Sequence, residues 1–310
     1  MNRKAPHSSA PLSRLLTEQL NPGSRDLDQK SSLEIARAIN AEDGKVAAAV
    51  KTALPQIARA IDLIAAALKR GGRLIYVGAG TSGRIAALDA AECPPTFNSN
   101  PKTVQYVIAG GSKALGAAVE ANEDSRKMGE REIEKKKPGK NDVVVGIAAS
   151  GRTPFTVAAV EYARHRGAKT VAVTCNPGSQ LAKAAHFAIV TEVGPEVIAG
   201  SSRMKAGTAQ KMVLNMLSTG AMTRLGYVYG NLMVNVHLKN EKLIERGISI
   251  LQTATKTDRA TAAKMLHSAG NSVPAALVMF LAEISRADAL RALRTAKGSV
   301  RAAIAAARSL

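Results

Sequence analysis

The chain has 310 residues, 46% of them hydrophobic, so it can bury one main core and a smaller second one. Lysine and arginine number 43 against 24 acidic residues, a net charge of +19 that attracts anions. Aromatic residues make up only 3%, which argues against a stacking surface for single-stranded nucleic acid. The basic residues are spread along the chain, so we expect a solvated basic surface and no nucleic-acid partner. A field that steers a small anionic substrate is also compatible.

Cysteine content and hydropathy indicate the compartment. Cys93 and Cys175 are the two cysteines, too few for a disulfide framework and suited to a reducing environment. The basic N-terminal segment lacks the apolar core of a signal peptide. No run reaches the roughly 18 apolar residues that a membrane span requires. We therefore expect a cytoplasmic protein without a membrane partner.

The N-terminal part of the chain is predicted to be disordered and then helical. Residues 1–16 are expected to be disordered. Residues 31–70 are predicted to form two helices, the first capped by Ser31 or Ser32. In the second, apolar residues recur at helical spacing, at Ile57, Ile61, Ile64 and Leu68.

From residue 73 onward, strands alternate with helices. The predicted strands are short, apolar and mostly β-branched, at 73–78, 103–109, 142–148, 169–175 and 187–190. Helices are predicted between them, at 82–92, 113–136, 153–166 and 178–185, and a long one follows at 203–225. This alternation predicts an α/β fold with a doubly wound, mainly parallel five-stranded sheet. Ligands of such sheets bind at the carboxyl ends of the strands.

The strand pattern stops at about residue 248. Thr257 and Asp258 are expected to cap one helix, Pro274 to open a second, and 288–293 to begin a third near Gly298. We therefore predict a small C-terminal three-helix domain at 248–310. The α/β domain with its N-terminal helices would occupy 17–247, with a core at about 63–226.

Three loops after predicted strands combine glycine with hydroxyl residues. Glycine allows the backbone to approach an anion, hydroxyl and N–H groups donate to its oxygens, and a helix N-terminus adds a favourable dipole. One such loop is also ordinary turn and cap chemistry. Three at strand carboxyl ends predict a phosphate site. The loops are Gly80-Thr81-Ser82-Gly83-Arg84, Ser150-Gly151-Arg152-Thr153 and Gly200-Ser201-Ser202-Arg203-Met204-Lys205.

The first loop also contains a dinucleotide-binding pattern. Gly78, Gly80 and Gly83 spell G-x-G-x-x-G, which requires an acidic residue at the end of the second strand to hold the ribose. That strand ends in Val-Ile-Ala-Gly-Gly, so a nicotinamide cofactor is the weaker interpretation. Motifs for nucleotide hydrolysis and metal binding are also missing, so these two chemistries lack support in the sequence.

Carboxylates supply candidate acid–base groups. Glu92 lies where Pro94 and Pro95 are expected to end the first helix of the α/β domain. Glu120, Glu123 and Asp124 are placed on the following helix, where spacing alone favours a solvated face over a catalytic role. Spacing alone does not distinguish Glu123 from Glu120.

Long stretches of the sequence resemble the N-acetylmuramic acid 6-phosphate etherase family. They include RLIYVGAGTSGRIAALDAAECPPTF at 73–97, AAVEANEDSR at 117–126, DVVVGIAASGRTPF at 142–155 and GSSRMKAGTAQKMVLNMLST at 200–219. The resemblance extends upstream through 17–50 and downstream through 230–243, and is looser in the N-terminal extension and the last sixty or so residues. Ala91 stands where the family commonly has serine, a change that removes no candidate carboxylate.

The resemblance implies a sugar-isomerase-type (SIS) domain in a homodimer, a ubiquitin-associated-like C-terminal domain and no metal or organic cofactor. It implies cleavage of the D-lactyl ether of N-acetylmuramate 6-phosphate, in recycling of cell-wall amino sugars. The family motifs imply that Glu92 is the acid and Glu123 the C2 base. They identify the two residues more firmly than they assign the role of each. The expected substrate contacts are Gly80, Thr81, Ser82, Ser150, Gly151, Arg152, Thr153, Ser201, Ser202 and Lys205.

Two other functions remain to be weighed. The first is a non-catalytic phosphosugar-binding regulator resembling glucokinase regulatory protein, which would need neither Glu92 nor Glu123. The second is a sugar-responsive DNA-binding regulator, suggested by the charge. It would require a helix-turn-helix, and 31–70 shows no convincing turn followed by a basic recognition helix.

Overall fold

The computed structural model describes residues 15–119, 122–238 and 240–308. Most of the segment 1–16, expected to be disordered, lies outside the described residues. The chain divides into two compact units. The first contains the residues up to Ala60, then Leu74–Ala87 and Tyr106–Leu214. The second contains Ile61–Arg73, Leu88–Gln105 and the chain from Asn215 onward.

The predicted α/β fold is confirmed, with one five-stranded sheet. Its strands are β1 (Leu74–Gly78), β2 (Val104–Ile108), β3 (Val143–Ile147), β4 (Lys169–Thr174) and β5 (Phe187–Val190). Their order is β2-β1-β3-β4-β5, and β1, β3, β4 and β5 pair in parallel. Every residue of β1 and β3 is buried, as continuous apolar strands covered on both faces should be.

Eight helices are found before residue 225 in the described parts of the chain. They are α1 (Ser32–Asp43), α2 (Val46–Thr52), α3 (Leu54–Lys69), α4 (Gly80–Phe97), α5 (Arg126–Glu134), α6 (Pro154–His165), α7 (Gln180–Ala184) and α8 (Lys205–Arg224). The segment 31–70 thus holds three helices, not the two predicted. Gly44 caps the C-terminus of α1, and the N–H of Ala53 bonds to Val50 in a tighter turn that separates α2 from α3.

The expectation that Pro94 and Pro95 end their helix is wrong, because α4 continues through both prolines to Phe97. The prolines remove the N–H donors that would bond to the carbonyls of Ala90 and Ala91. Ala91 is exposed, so water can reach its backbone, whereas Ala90 is buried. Beyond the prolines, the buried Phe97 anchors the last turn and the N–H of Asn98 bonds to Pro94. Asn98, at φ +53°, then ends the helix in the left-handed conformation.

The helix predicted at 113–136 is wrong in its first part. A 3-10 turn occupies Gly111–Leu115, and α5 begins only at Arg126. Ser125 caps α5 by accepting a hydrogen bond from the N–H of Met128, which sets the start of this helix. Glu123 therefore precedes the helix in a turn, and Glu120 lies outside the described residues.

Five helices follow residue 240 in the described part of the chain, and they bury one apolar cluster. They are α9 (Glu241–Thr255), α10 (Arg259–Ser268), α11 (Val273–Ala282), α12 (Arg286–Thr295) and α13 (Val300–Arg308). Asp258 caps α10 and Pro274 lies in the first turn of α11, as predicted. The predicted third helix is instead two, because Lys297 and Gly298 have positive φ and end α12.

Within the described ranges, no single helix is long and apolar enough to cross a membrane. The helices α10 and α11 pass that test only together, as a pair bent by 107°.

Candidate active site

The first hydroxyl loop forms the first turn of α4, directly after β1. Gly80 opens this helix with φ +50°, a conformation that favours glycine. A Cβ on Gly83 would lie 2.4 Å from Ile108 of β2, so this glycine is required for close packing. Thr81 is partly exposed in the same turn, whose N–H groups have no partner within the helix. Gly83 of the pattern therefore serves packing against β2, and Gly80 opens a helix N-terminus that offers N–H donors.

Glu123 lies against that helix N-terminus. Its Oε1 is 3.1 Å from the position that a Cβ on Gly80 would take. Its backbone carbonyl accepts a hydrogen bond of 3.0 Å from the N–H of Phe155, in the first turn of α6. Because α4 follows β1 and α6 follows β3, Glu123 is held where the carboxyl ends of two adjacent strands meet. The structure thus places Glu123 at the carboxyl end of the sheet, which spacing in the sequence could not do.

The second hydroxyl loop leads from β3 into α6. Gly151 has φ +66°, and a Cβ there would lie 2.2 Å from Oγ of Ser179, so no side chain fits. The hydroxyl of Ser150 accepts from the N–H of Arg152 at 3.2 Å. Thr153 occupies the N-cap position of α6, but its side chain makes no capping hydrogen bond. Nη1 of Arg152 is buried and has no hydrogen-bond partner within the described residues. This loop therefore contains a hydroxyl without a capping bond, on Thr153, and an unsatisfied buried donor, on Arg152.

The third loop differs, because a protein carboxylate already occupies its helix N-terminus. Glu196, fully buried, accepts the N–H groups of Lys205 and Ala206 at 3.0 and 2.9 Å. The ammonium of Lys205 donates to Oε2 of Glu42 at 2.5 Å, and Lys205 is only 1% exposed. The anion expected at the start of α8 is thus supplied by the chain itself, from a residue no local motif identified.

Ser201 and Ser202, ahead of α8, are partly exposed. Their backbone N–H groups bond to Ile198 and Gly200, which folds the loop back on itself. No hydrogen bond of either hydroxyl is found in the described parts of the chain. These two side chains are the part of the third loop that a ligand can reach.

Ser82 is buried and makes an internal hydrogen bond. Its hydroxyl donates to Oε1 of Gln210 on α8 at 2.9 Å. Gln210 is 1% exposed, and its Nε2 has no hydrogen-bond partner among the described residues. Sequence reasoning missed Gln210, although it belongs to the stretch that carries the family resemblance. Only its contact with the first turn of α4 connects it with the hydroxyl loops.

Glu92 is exposed on α4 and belongs to the second compact unit. One turn earlier, the buried Asp89 accepts hydrogen bonds from Asn215 at 2.7 Å and from Ser218 at 3.0 Å. Burial raises the pKa of the neighbouring Cys93 thiol to about 12, which keeps it protonated and unreactive at neutral pH. Glu92 is therefore the accessible ionisable side chain among these three.

Comparison with known proteins shows which family this chain belongs to. The family model of the glucokinase regulatory protein N-terminal SIS domain matches residues 56–164, and that of the SIS domain matches 135–220. An N-acetylmuramic acid 6-phosphate etherase from Klebsiella aerogenes is 51% identical over 296 residues, 96% of this chain and 99% of the relative. The chain belongs to the N-acetylmuramic acid 6-phosphate etherase family.

Further relatives extend the same match. The etherase of Symbiobacterium thermophilum is 58% identical over 88% of this chain and 91% of its own length. That of Aeromonas hydrophila subsp. hydrophila is 51% identical over 93% of this chain and 97% of its own. Etherase family membership thus rests on nearly the whole length of the chain.

Proposed function

We infer that this protein is an N-acetylmuramic acid 6-phosphate etherase, which releases D-lactate and leaves N-acetylglucosamine 6-phosphate in amino-sugar recycling. This conclusion rests on sequence identities of 51% and 58% to etherases, over 96% and 88% of this chain. The position of Glu123 against the donor-rich start of α4 supports it, because an anionic sugar and a carboxylate base are both required there.

For the mechanism, we propose elimination followed by addition of water. Opening of the sugar ring exposes an aldehyde at C1, which acidifies the proton on C2. Glu123 removes that proton, the electron pair forms a C2–C3 double bond, and the C3–oxygen bond to the lactyl group breaks. Glu92 gives its proton to the departing oxygen. Water then adds across the double bond, with hydrogen at C2 and hydroxyl at C3.

We further propose that the hydroxyl loops bind the phosphosugar. Thr81 and Thr153 support this role, since each is partly exposed at the start of a helix that follows a strand. The unpartnered Nη1 of Arg152 fits a phosphate oxygen. For Lys205, paired with Glu42, we propose that it positions the third loop. The remaining proposed contacts are Gly80, Ser82, Ser150, Gly151, Ser201 and Ser202.

We also propose a cytoplasmic homodimer with a phosphosugar-binding domain at 17–247, a helical domain at 248–310 and no cofactor. The first compact unit exposes large apolar side chains, which supports association with a second copy. They include Leu20 at 74% and Leu33 at 59%, and α1 contains no buried residue.

A direct test is to incubate the purified protein with N-acetylmuramate 6-phosphate and to assay D-lactate. Glu92→Gln and Glu123→Gln should each lower the rate by about 10²- to 10⁴-fold, the usual contribution of an acid or base. Glu130→Gln, on the exposed face of α5, is the matched control and should retain activity. A folded wild-type protein that binds the sugar but releases no lactate would instead support the non-catalytic regulator.

The two roles can be separated by following exchange of the C2 proton in deuterated water. Glu123→Gln should lose both exchange and lactate release, because no base remains. Glu92→Gln should retain exchange while lactate release falls. The opposite pattern would reverse the assignment of the acid and the base.

A further inference from the structure

The second compact unit contains a cavity of about 1100 Å³ that has no part in the proposed reaction. It is lined by the end of α3, the residues just before β1 and β2, the end of α8 with the loop after it, and the connection between α12 and α13. None of the proposed catalytic or substrate-binding residues lines it. A volume of this size exceeds what a single phosphate fills and lies slightly above the usual range of small-molecule pockets, about 300–1,000 Å³.

The lining of this cavity, called the basic cleft below, is strongly cationic. Among the described residues, the lining contains no acidic side chain and six basic ones, namely Lys69, Arg73, Lys102, Arg224, Lys297 and Arg301. Arg224 lies 3.3 Å from Asp62, an ion pair in which both side chains are about two-thirds exposed and that contributes little. Lys69, Lys102 and Lys297 form no ion pair with any residue that the structure describes. At least three positive charges are therefore uncompensated.

Helix ends explain only part of this charge. The helices α3, α8 and α12 end at the cleft, and a helix C-terminus carries a partial charge of about −0.5 that favours nearby cations. This accounts for Lys69, Arg224 and Lys297. Lys102 precedes a strand, and Arg301 lies in the first turn of α13, where the dipole opposes a cation. The guanidinium of Arg301 is held over the ring of Tyr229, 5.1 Å from its centre. The contact with Tyr229 holds Arg301 in place, and the helix dipoles compensate neither Arg301 nor Lys102, so both charges can act on an anionic ligand.

We propose that the basic cleft binds a small molecule of the nucleoside diphosphate class. The cations would hold the two phosphates, and the hydroxyls of Thr103 and Ser299 would add donors. Tyr227 and the apolar residues Leu225 and Val228 line the same cavity and provide a surface for the ring system. This site is additional to the proposed etherase site and does not depend on it.

Calorimetry on the full-length protein tests the proposal, with uridine diphosphate, adenosine diphosphate and inorganic phosphate as probes. Both diphosphates should bind, and inorganic phosphate should bind at least about tenfold more weakly, because it engages fewer cations. The double variant Lys102→Glu, Arg301→Glu should weaken diphosphate binding by about tenfold or more. Lys264→Glu is a matched control, since Lys264 is exposed on α10 outside the cleft, and it should bind like the wild type.

Thermal unfolding reports on the fold of the variants, and lactate release reports on the other site. A wild-type unfolding transition in the double variant shows that the fold is intact, and loss of diphosphate binding in it then assigns binding to the cleft. The proposal is overturned if neither diphosphate binds at millimolar concentration, or if Lys264→Glu weakens binding as much as the double variant does. It is also overturned if the double variant binds diphosphate as the wild type does and the sugar substrate competes with that binding. Binding of DNA without binding of diphosphates would also overturn it, in favour of a nucleic-acid surface.

Discussion

Lys205 and Glu42 form a buried ion pair that joins the start of α8 to the end of α1. Nζ of Lys205 lies 2.5 Å from Oε2 of Glu42, and the side chains are 1% and 13% exposed. Glu42 also contacts Lys45 at 2.7 Å, but the side chain of Lys45 is 63% exposed. The carboxylate thus has one buried and one solvated partner, which makes their contributions to stability separable.

Glu42→Gln should lower the free energy of unfolding by about 3–5 kcal/mol, because it leaves the buried ammonium of Lys205 without a counter-charge. Lys45→Gln removes the exposed pair and should cost less than about 1 kcal/mol. Urea denaturation at neutral pH measures both. The double variant Glu42→Gln, Lys205→Met should recover much of the loss. Equal losses of unfolding free energy in Glu42→Gln and Lys45→Gln would show that the buried pair stabilises the fold no more than the exposed pair does.

The same pair predicts acid sensitivity. Burial raises the pKa of Glu42, but hydrogen bonds from Lys205, Lys45 and Asn21 outweigh it and hold the pKa at about 2, below the ordinary value of 4.5. Glu42 therefore stabilises the fold fully above about pH 5, and this contribution is lost as the pH falls from 4.5 towards 2. The difference in unfolding free energy between wild type and Glu42→Gln should shrink over that range. A difference independent of pH would contradict the depressed pKa.

Gly80→Ala should impair catalysis beyond its cost in stability. Alanine at φ +50° costs about 1–2 kcal/mol, and its Cβ would also meet Oε1 of Glu123 at 3.1 Å. Gly111→Ala is the control, because Gly111 has φ +64° and nothing lies within 4 Å of its Cβ position. Thermal unfolding should show similar losses for both variants. Lactate release should fall by about tenfold or more only in Gly80→Ala, as expected when a base is displaced.

Ser82→Ala should be more destabilising than Ser150→Ala. The first leaves the buried Oε1 of Gln210 without its donor, at a cost of about 1–3 kcal/mol. The second removes a partly exposed acceptor of one N–H, and water can replace it for less than about 1 kcal/mol. Urea denaturation measures both, and Ser82→Thr, which keeps the hydroxyl, should be milder than alanine. Equal losses would indicate that the bond to Gln210 contributes little.

Local sequence patterns were sufficient where structure depends on near neighbours. The five strands were predicted to within a residue at each end, because buried parallel strands are continuous apolar runs. The cap at Asp258 was predictable because a capping side chain bonds to a backbone group within the next turn. A local rule failed at α4, where the buried Phe97 keeps the helix intact beyond two prolines. At α5 a local signal was overlooked, because Ser125 caps the helix and starts it after Glu123.

The sequence by itself determined the α/β fold, the three hydroxyl loops and the resemblance to the etherase family, because these reside in short segments of chain. Only the tertiary structure decided which groups meet. It placed Glu123 against Gly80, Glu196 at the start of α8 and Gln210 beside Ser82, a partner 128 residues away. Contacts between distant segments depend on how helices pack on the sheet, and no period or spacing along the chain encodes them.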